Sequence, residues 1–156
     1  LFLGEDEASN PVQDDIRTAE LVARAYFIHP SINSVANKCP GSDSVPSLYR
    51  LTLDRSTGGL TSEEVAYGVE NLQVQYGLDT DAIADNSVDQ YVDAMAPTDT
   101  RWDQVIAVRL WLLVRAECPE TGFTNTNTYV MGNQNISPND AYRRQLYTST
   151  IMLRNR

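Results

Sequence analysis

The stretch Gln104–Ala116, which reads QVIAVRLWLLVRA, decides the fold that we expect for this chain. It contains neither glycine nor proline, and its residues alternate between two sides at the period of a β-strand. The first side is wholly apolar, with Ile106, Val108, Leu110, Leu112 and Val114. The second side is mixed, with Val105, Ala107, Arg109, Trp111, Leu113 and Arg115. This pattern predicts a central strand whose apolar side faces the core.

Further strands are predicted on both sides of this stretch. The segment Thr18–His29 permits helix or strand, and we favour strand because Tyr26-Phe27-Ile28 has high β propensity. The other expected strands lie at 47–54, within Glu64–Leu78, at Tyr129–Met131 and at Gln145–Leu153. Helical segments do not alternate with these strands, so the sheet should be antiparallel.

The connections carry clear turn residues. Gly58-Gly59, within the turn Arg55–Gly59, predicts a hairpin. Ser87 is a good N-cap residue and predicts a short helix over Val88–Ala94. The fold class expected from the residues is therefore mainly antiparallel β with little helix.

The length of 156 residues favours a single domain. We expect residues 1–17 to be a flexible acidic lead-in and residues 18–156 to form one β-rich domain. The sequence begins without Met and contains neither a signal peptide nor an apolar run long enough to cross a bilayer. We therefore expect any anchoring segment to belong to a longer parent protein.

The charge of the chain excludes two classes of partner. Twenty-one acidic residues against 12 basic ones give a net charge of −9. Nucleic acids and anionic membrane surfaces repel such a domain, so we expect it to bind neither directly.

The two cysteines leave two alternatives. Cys39 and Cys118 are each followed by proline in loop-like sequence, and neither belongs to a metal-binding pattern. They are either free buried thiols or a disulfide, and we favour the disulfide. Closing a loop of this size would stabilise the fold by roughly 4–5 kcal/mol in the chain-entropy model, and it implies an oxidising compartment.

The residues offer little for catalysis. His29 is the only histidine and Lys38 the only lysine, and no nucleophile, phosphate-binding or zinc-protease motif is present. We therefore expect neither an enzyme nor a cofactor.

The acidic loop Asp79–Asp89 is a candidate calcium site. Its oxygen-bearing side chains alternate, and Asp79, Asp81 and Asp85 would be the ligands. Ile83 stands where another ligand would be needed, and the glycine that allows an EF-hand loop to turn is absent. The alternative is a solvated acidic loop without metal.

Aromatic residues suggest a further alternative, an adhesin that binds carbohydrate. It requires an exposed aromatic platform, for which Trp102, Trp111 and Tyr129 are the candidates. Arg109 and Trp111 could instead form a cation–π pair or pack under another element, and we favour such a buried structural role over a binding site.

Several blocks of sequence, in order, resemble a known family. They are Ser47–Arg50, Val65–Asp81 (VAYGVENLQVQYGLDTD), Val88–Val92, Trp102–Arg115 (WDQVIAVRLWLLVR) and Arg143–Arg156. Together they resemble the PilW family of minor pilins of type IV pili, over roughly residues 18–156. Where that family often has a DTDGDG-like loop, this chain has DTDAIADN at 79–86.

The resemblance implies an α+β fold, mainly antiparallel β: the globular domain of a pilin without its N-terminal helix. It implies a structural role, in which the protein joins a tip or initiation complex that primes pilus assembly. The implied partners are other minor pilins, the major pilin and a tip adhesin, and membrane contact would occur only through the helix that this chain lacks. The implied location is the inner membrane, facing the periplasm, and then the pilus tip. A pseudopilin of type II secretion similar to GspJ is an alternative.

Overall fold

The computed structural model describes residues 24–33, 39, 44–54, 56–82 and 85–153. Nine strands form three antiparallel sheets in this part of the chain. The strands are β1 (Arg24–Pro30), β2 (Pro46–Leu53), β3 (Leu60–Tyr67), β4 (Val69–Leu78), β5 (Gln90–Val92), β6 (Val105–Arg115), β7 (Tyr129–Met131), β8 (Gln134–Ile136) and β9 (Arg144–Met152). The strand orders are β1-β2-β3, β5-β4-β6-β9 and β7-β8. The prediction of a mostly antiparallel β fold is confirmed.

Helix is scarce in the described residues. Their only helical element is a short 3-10 helix at Thr100–Gln104, where the Asp99 carboxylate accepts a hydrogen bond from the Arg101 backbone N–H. The predicted helix over Val88–Ala94 is wrong, because Gln90–Val92 pairs with the end of β4 as a strand. Pairing with an available sheet edge outweighs the local preference for a helix cap. The α part of the implied α+β fold stays a prediction.

The extended run Glu64–Leu78 is divided at Gly68 between two sheets. Gly68 has a φ of +82°, and a Cβ there would lie 3.1 Å from the carbonyl oxygen of Arg115. Its N–H donates to Pro46 and its carbonyl accepts from Arg115, so this residue ties β2 to β6. Only glycine suits both the backbone conformation and the close approach.

The predicted hairpin is present between β2 and β3. Asp54 and Gly59 are hydrogen-bonded across the turn, and Gly58 has a φ of +69°. The strand expected near the start of the chain is β1, which pairs with β2 from Arg24 to Pro30. The predicted lead-in at 1–17 lies outside the described residues, and the extent of the domain stays a prediction.

The core lies on the side of β6 that was not expected. Trp111 and Leu113, on the mixed side, are buried against Tyr129 and Met131 of the β7–β8 hairpin. The wholly apolar side is half-buried from Val108 to Val114. The prediction that this side faces the core is therefore wrong along most of β6, because a later segment, which carries the hairpin, packs on the mixed side instead.

Candidate functional site: the open face of the four-stranded sheet

One face of the sheet β5-β4-β6-β9 is a broad apolar surface, which we call the open face. Residues directly opposite each other in antiparallel strands point to the same side, so the register identifies its members. Its apolar members are Leu72, Val74 and Tyr76 of β4, Val108, Leu110 and Leu112 of β6, and Tyr147 and Ile151 of β9, and Ser149 of β9 lies among them. Tyr147 is 57% exposed and Ile151 49%. None of these side chains is charged.

The open face follows from the sequence, because successive side chains along a strand point to opposite sides of the sheet. The opposite side of β4 carries Gln73, Gln75 and Gly77. The side chain of Val88 lies directly over Gly77, at 3.0 Å from where a Cβ would stand. Polar and small residues on that side thus accept the covering loop and hairpin, and the apolar residues of the open face remain half-buried or exposed.

A second feature is a buried ionic cluster at one end of the sheet. The side chain of Arg144 is only 4% exposed, and it pairs with Glu70 of β4 and with Asp140. It donates to Asp140 at 2.6 and 2.7 Å, and its guanidinium carbon lies 6.0 Å from the ring centre of Tyr142. Burial by itself would lower the pKa of Arg144, but the hydrogen bonds to Asp140 and Glu70 outweigh it and raise the pKa. These ion pairs join β9, β4 and the loop before β9.

A third feature is a carboxylate that organises the first sheet. Glu64 of β3 accepts hydrogen bonds from Ser31 at 2.9 Å, Asn33 at 2.9 Å, Ser47 at 3.0 Å and the Tyr49 hydroxyl at 3.3 Å. Burial alone would raise the pKa of Glu64, but these hydrogen bonds together lower it. The cluster fixes the end of β1 to β2 and β3, which is a structural role.

The acidic loop does not bring the predicted calcium ligands together as a metal centre. Asp79 is buried, and its Oδ2 accepts from the Asn86 backbone N–H at 3.0 Å. Asp85 accepts from the Ser87 N–H at 2.8 Å, while Asp81 is exposed. In the described part of the chain, no group of three or more acidic, histidine or cysteine side chains could hold a metal ion. Calcium binding stays a prediction.

Comparison with known proteins decides the family. The model of the family described as PilW, type IV pilus-assembly protein W, matches residues 25–155. The chain belongs to the PilW family. Its role therefore lies in type IV pilus assembly, and the resemblance in the sequence is confirmed. Neither the curated proteins nor the solved structures include one that matches this chain.

The predicted disulfide is present in this PilW-family domain. Cys39 and Cys118 are bonded, with their Cα atoms 5.4 Å apart and a sequence separation of 79 residues. Cys118 follows β6 closely, so the bond ties the segment between β1 and β2 to the second sheet. Of the two alternatives left by the sequence, the structure has the disulfide.

The aromatic residues proposed for an adhesin do not form a platform. Trp111 and Tyr129 are buried in the core cluster. Trp102 is 39% exposed, donates to the Ala96 carbonyl at 2.8 Å and meets Tyr76 edge-on. The three rings therefore lie in different environments, which weighs against the adhesin alternative.

The expected cation–π contact of Arg109 is present, with a closer partner than predicted. Its guanidinium carbon lies 3.6 Å from the ring centre of Tyr91 and 5.8 Å from that of Trp111.

His29 is exposed, and its Nδ1 lies 2.9 Å from the Pro30 carbonyl oxygen. His29 also meets the Tyr49 ring edge-on, with the ring centres 5.6 Å apart.

Sequence reasoning missed the charged residues that this PilW-family domain buries. Glu70 and Arg144 are 74 positions apart, and only the pairing of β4 and β9 with β6 brings them together. A signal was present, since each is the one charged residue in its strand, Glu70 in β4 and Arg144 in β9. No helix among the described residues is long and apolar enough to cross a membrane.

Proposed function

We propose that this chain is the globular domain of a minor pilin, which joins a tip or initiation complex and primes type IV pilus assembly. The observation that carries the proposal is the open face on a domain whose PilW-family match spans residues 25–155. A sheet with one apolar face needs a covering layer to be stable in water. In a pilin, that layer is the N-terminal helix.

The chemistry of the open face suits such a helix. Leu110 lies at its centre, opposite Val74 on one side and Ser149 on the other, and all three positions are uncharged. An amphipathic helix would bury these side chains at about 25 cal/mol for each Å² of apolar surface. The helix would anchor the protein in the inner membrane, with the domain facing the periplasm and later standing at the pilus tip.

Two further features support a role as an assembly subunit. The disulfide Cys39–Cys118 suits a protein that works outside the cytoplasm. The net charge of −9 would favour basic surfaces on the neighbouring subunits, which we propose to be other minor pilins, the major pilin and a tip adhesin. A type II secretion pseudopilin would share this architecture, but the family is described by pilus assembly, so we favour the pilus.

The mature N-terminus of the parent protein tests the proposal directly. The protein would be isolated from membranes and its N-terminal peptide identified by mass spectrometry. We expect a methylated Phe at the start of an apolar helix of about 20 residues, long enough to span a bilayer. A conventional secretory cleavage site without such a helix would refute the pilin assignment.

A pair of leucine variants tests the open face in that membrane-anchored protein. Leu110→Ser should destabilise the protein by about 2–3 kcal/mol and reduce pilus number, because a serine would lie beneath the helix. Leu53→Ser is the control, since Leu53 lies on β2 and is 46% exposed. The proposal fails if the two variants have equal stability and equal pilus numbers on electron micrographs.

Calcium at the acidic loop is a separate proposal. It is supported by Asp79, which is 5% exposed and whose Oδ1 has no hydrogen-bond partner among the residues that the structure describes. Calorimetric titration with calcium should show binding that Asp79→Asn abolishes. Equal heats for both proteins would leave Asp79, Asp81 and Asp85 as an ordinary acidic loop.

A further inference from the structure

Arg109 of β6 carries a guanidinium group that has no carboxylate partner in the described part of the chain. In contrast, Arg50, Arg101, Arg143 and Arg144 each form an ion pair with an acidic side chain. Arg109 is half-buried, and its terminal amino groups are not among the buried polar atoms that lack a partner. These N–H donors therefore reach water and are available to a ligand of opposite charge.

The guanidinium group of Arg109 is nevertheless held in position. Its carbon atom lies 3.6 Å from the ring centre of Tyr91, and its Nε donates to the Thr150 hydroxyl at 3.4 Å. Stacking on an aromatic ring restrains the planar group while the nitrogen donors at its rim stay free. A side chain that is already restrained loses less conformational entropy when it binds.

The sheet positions around Arg109 are uncharged. Gln75 and Thr150 lie directly opposite it in the two neighbouring strands. Asp93, on the loop after β5, accepts a hydrogen bond from Gln75 at 2.7 Å and forms no ion pair with Arg109. Arg109 is therefore an isolated positive charge among its sheet neighbours. The next positions on the same side of those strands, also uncharged, are Gln73, Gly77, Thr148 and Met152.

The structure separates Arg109 from Trp111, the residue with which the sequence paired it. Trp111 is 8% exposed and packs in the core cluster beneath the β7–β8 hairpin, which is a buried structural role. Arg109, the next residue on the same side of β6, is left half-buried beside Tyr91. Arginine and tyrosine are among the residue types that contribute most to binding at protein interfaces.

We propose that Arg109, stacked on Tyr91, binds the carboxylate of an Asp or Glu side chain on a partner protein. The partner surface around that acidic residue is basic, because it faces a domain with a net charge of −9. A guanidinium group can bind a carboxylate through two parallel N–H···O bonds, so the contact has a defined direction. Within two surfaces of opposite overall charge, this single reversed pair fixes the orientation in which they dock.

The partner is a different protein. Two copies of this chain, each with a net charge of −9, repel one another, so a second copy is a poorer partner. The inference rests on the proposed function for the partner being a pilus protein. The affinity of Arg109 for a carboxylate does not depend on that role and is tested separately.

Side-chain NMR of the full chain tests the site itself. The probes are the capped pentapeptide Gly-Ser-Glu-Ser-Gly and the matched peptide Gly-Ser-Gln-Ser-Gly, and the readout is the arginine Nε–H signal. Arg24, an exposed arginine of β1, is the internal control. At low salt, we expect the glutamate peptide to bind at Arg109 roughly five- to tenfold more tightly than at Arg24. The glutamine peptide should shift neither signal.

Two variants of Tyr91 test the contribution of stacking. Tyr91→Phe keeps an aromatic ring beneath Arg109, whereas Tyr91→Ala removes it. We expect Tyr91→Phe to retain the affinity for the glutamate peptide, and Tyr91→Ala to reduce it to that of Arg24. Urea unfolding would show that both variants are folded.

Charge reversal in the membrane-anchored parent protein tests the partner. Arg109→Glu should reduce pilus number, whereas Arg24→Glu, which changes the net charge equally, should not. Arg109→Lys keeps the charge but loses the planar group, so we expect an intermediate number of pili. Selection for restored pili in the Arg109→Glu strain should recover a change of Asp or Glu to Lys or Arg in another pilus protein.

The opposite results would overturn the proposal. Equal binding of the glutamate peptide at Arg109 and Arg24, or in both Tyr91 variants, means that stacking creates no site. Normal pilus numbers with Arg109→Glu, or an equal loss with Arg24→Glu, exclude a partner contact at this position. Suppressors confined to this chain would make the contact internal. A conventional secretory N-terminus would refute the pilin assignment, but the peptide titration would still decide whether Arg109 binds carboxylates.

Discussion

Replacing Arg144 by methionine should destabilise this domain far more than the same change at the neighbouring Arg143. The Arg144 side chain is 4% exposed and is bonded to Glu70 and Asp140. Methionine fills a similar volume but leaves Asp140 without this cation and Glu70 with only Arg115, whose Nε lies 3.9 Å away. The Arg143 side chain is 62% exposed and pairs with Glu120, which is 49% exposed.

The expected magnitude follows from this difference in burial. Removing one partner from a buried ion pair costs about 3–5 kcal/mol, whereas an exposed pair contributes about 0–1 kcal/mol. Glu70 is 16% exposed and Asp140 35%, so water reaches both carboxylates. We therefore expect a loss of about 3 kcal/mol for Arg144→Met and at most about 1 kcal/mol for Arg143→Met.

Urea and thermal unfolding at neutral pH, with the disulfide intact, would measure both values. For a domain of this size, a loss of about 3 kcal/mol lowers the melting temperature by roughly 6–12 °C. Adding Asp140→Asn to Arg144→Met should recover part of the loss, because Asp140 then carries no unpaired charge while Glu70 keeps Arg115, whose Nε lies 3.9 Å from its Oε2. Equal destabilisation by Arg144→Met and Arg143→Met, or no recovery when Asp140→Asn is added, would refute the reasoning.

Three further predictions concern the disulfide, Glu64 and Tyr67. Replacing Cys39 and Cys118 together by serine should lower the unfolding free energy by roughly 4–5 kcal/mol in urea; a loss below about 1 kcal/mol would contradict this. The folded pKa of Glu64 is lowered, so its stabilising contribution is present above its unfolded value near 4.5 and is lost as the pH falls through the folded value. Glu64→Gln should therefore flatten the pH dependence of urea unfolding between pH 7 and about pH 3, and an unchanged slope would exclude this role. Burial and a hydrogen bond to Glu117 raise the pKa of Tyr67 to about 12, so its contribution is present below the unfolded value of 10.0 and is lost as the pH rises through 12. Ultraviolet titration should show a late phenol signal that is lost in Tyr67→Phe and shifted to lower pH in Glu117→Gln.

Much of the local structure was predictable because it depends on neighbours in the chain. The alternation in Gln104–Ala116 predicts β6, and Gly58-Gly59 predicts the hairpin between β2 and β3. Prolines and polar residues around Cys39 and Cys118 favour a loop disulfide, and the structure has it. Each of these features needs only the chemistry of adjacent residues.

The predictions that were wrong concern places where segments far apart in the sequence compete for the same surface. Ser87 can cap a helix, but the edge of β4 offers Gln90–Val92 a strand partner. The composition of β6 favours its wholly apolar side for the core, yet Tyr129 and Met131 cover the mixed side. Composition shows which side of β6 is more hydrophobic. Which side becomes buried depends on where the later segments of the chain can pack.

By itself, the sequence determined the strand-rich class, the family and the acidic character of this domain, because alternation, residue order and charge belong to the chain. Only the tertiary structure decided which side of β6 packs in the core and which arginine is buried. These properties depend on contacts between residues far apart in sequence, such as Glu70 and Arg144, and they arise only when the strands take their order in the sheet.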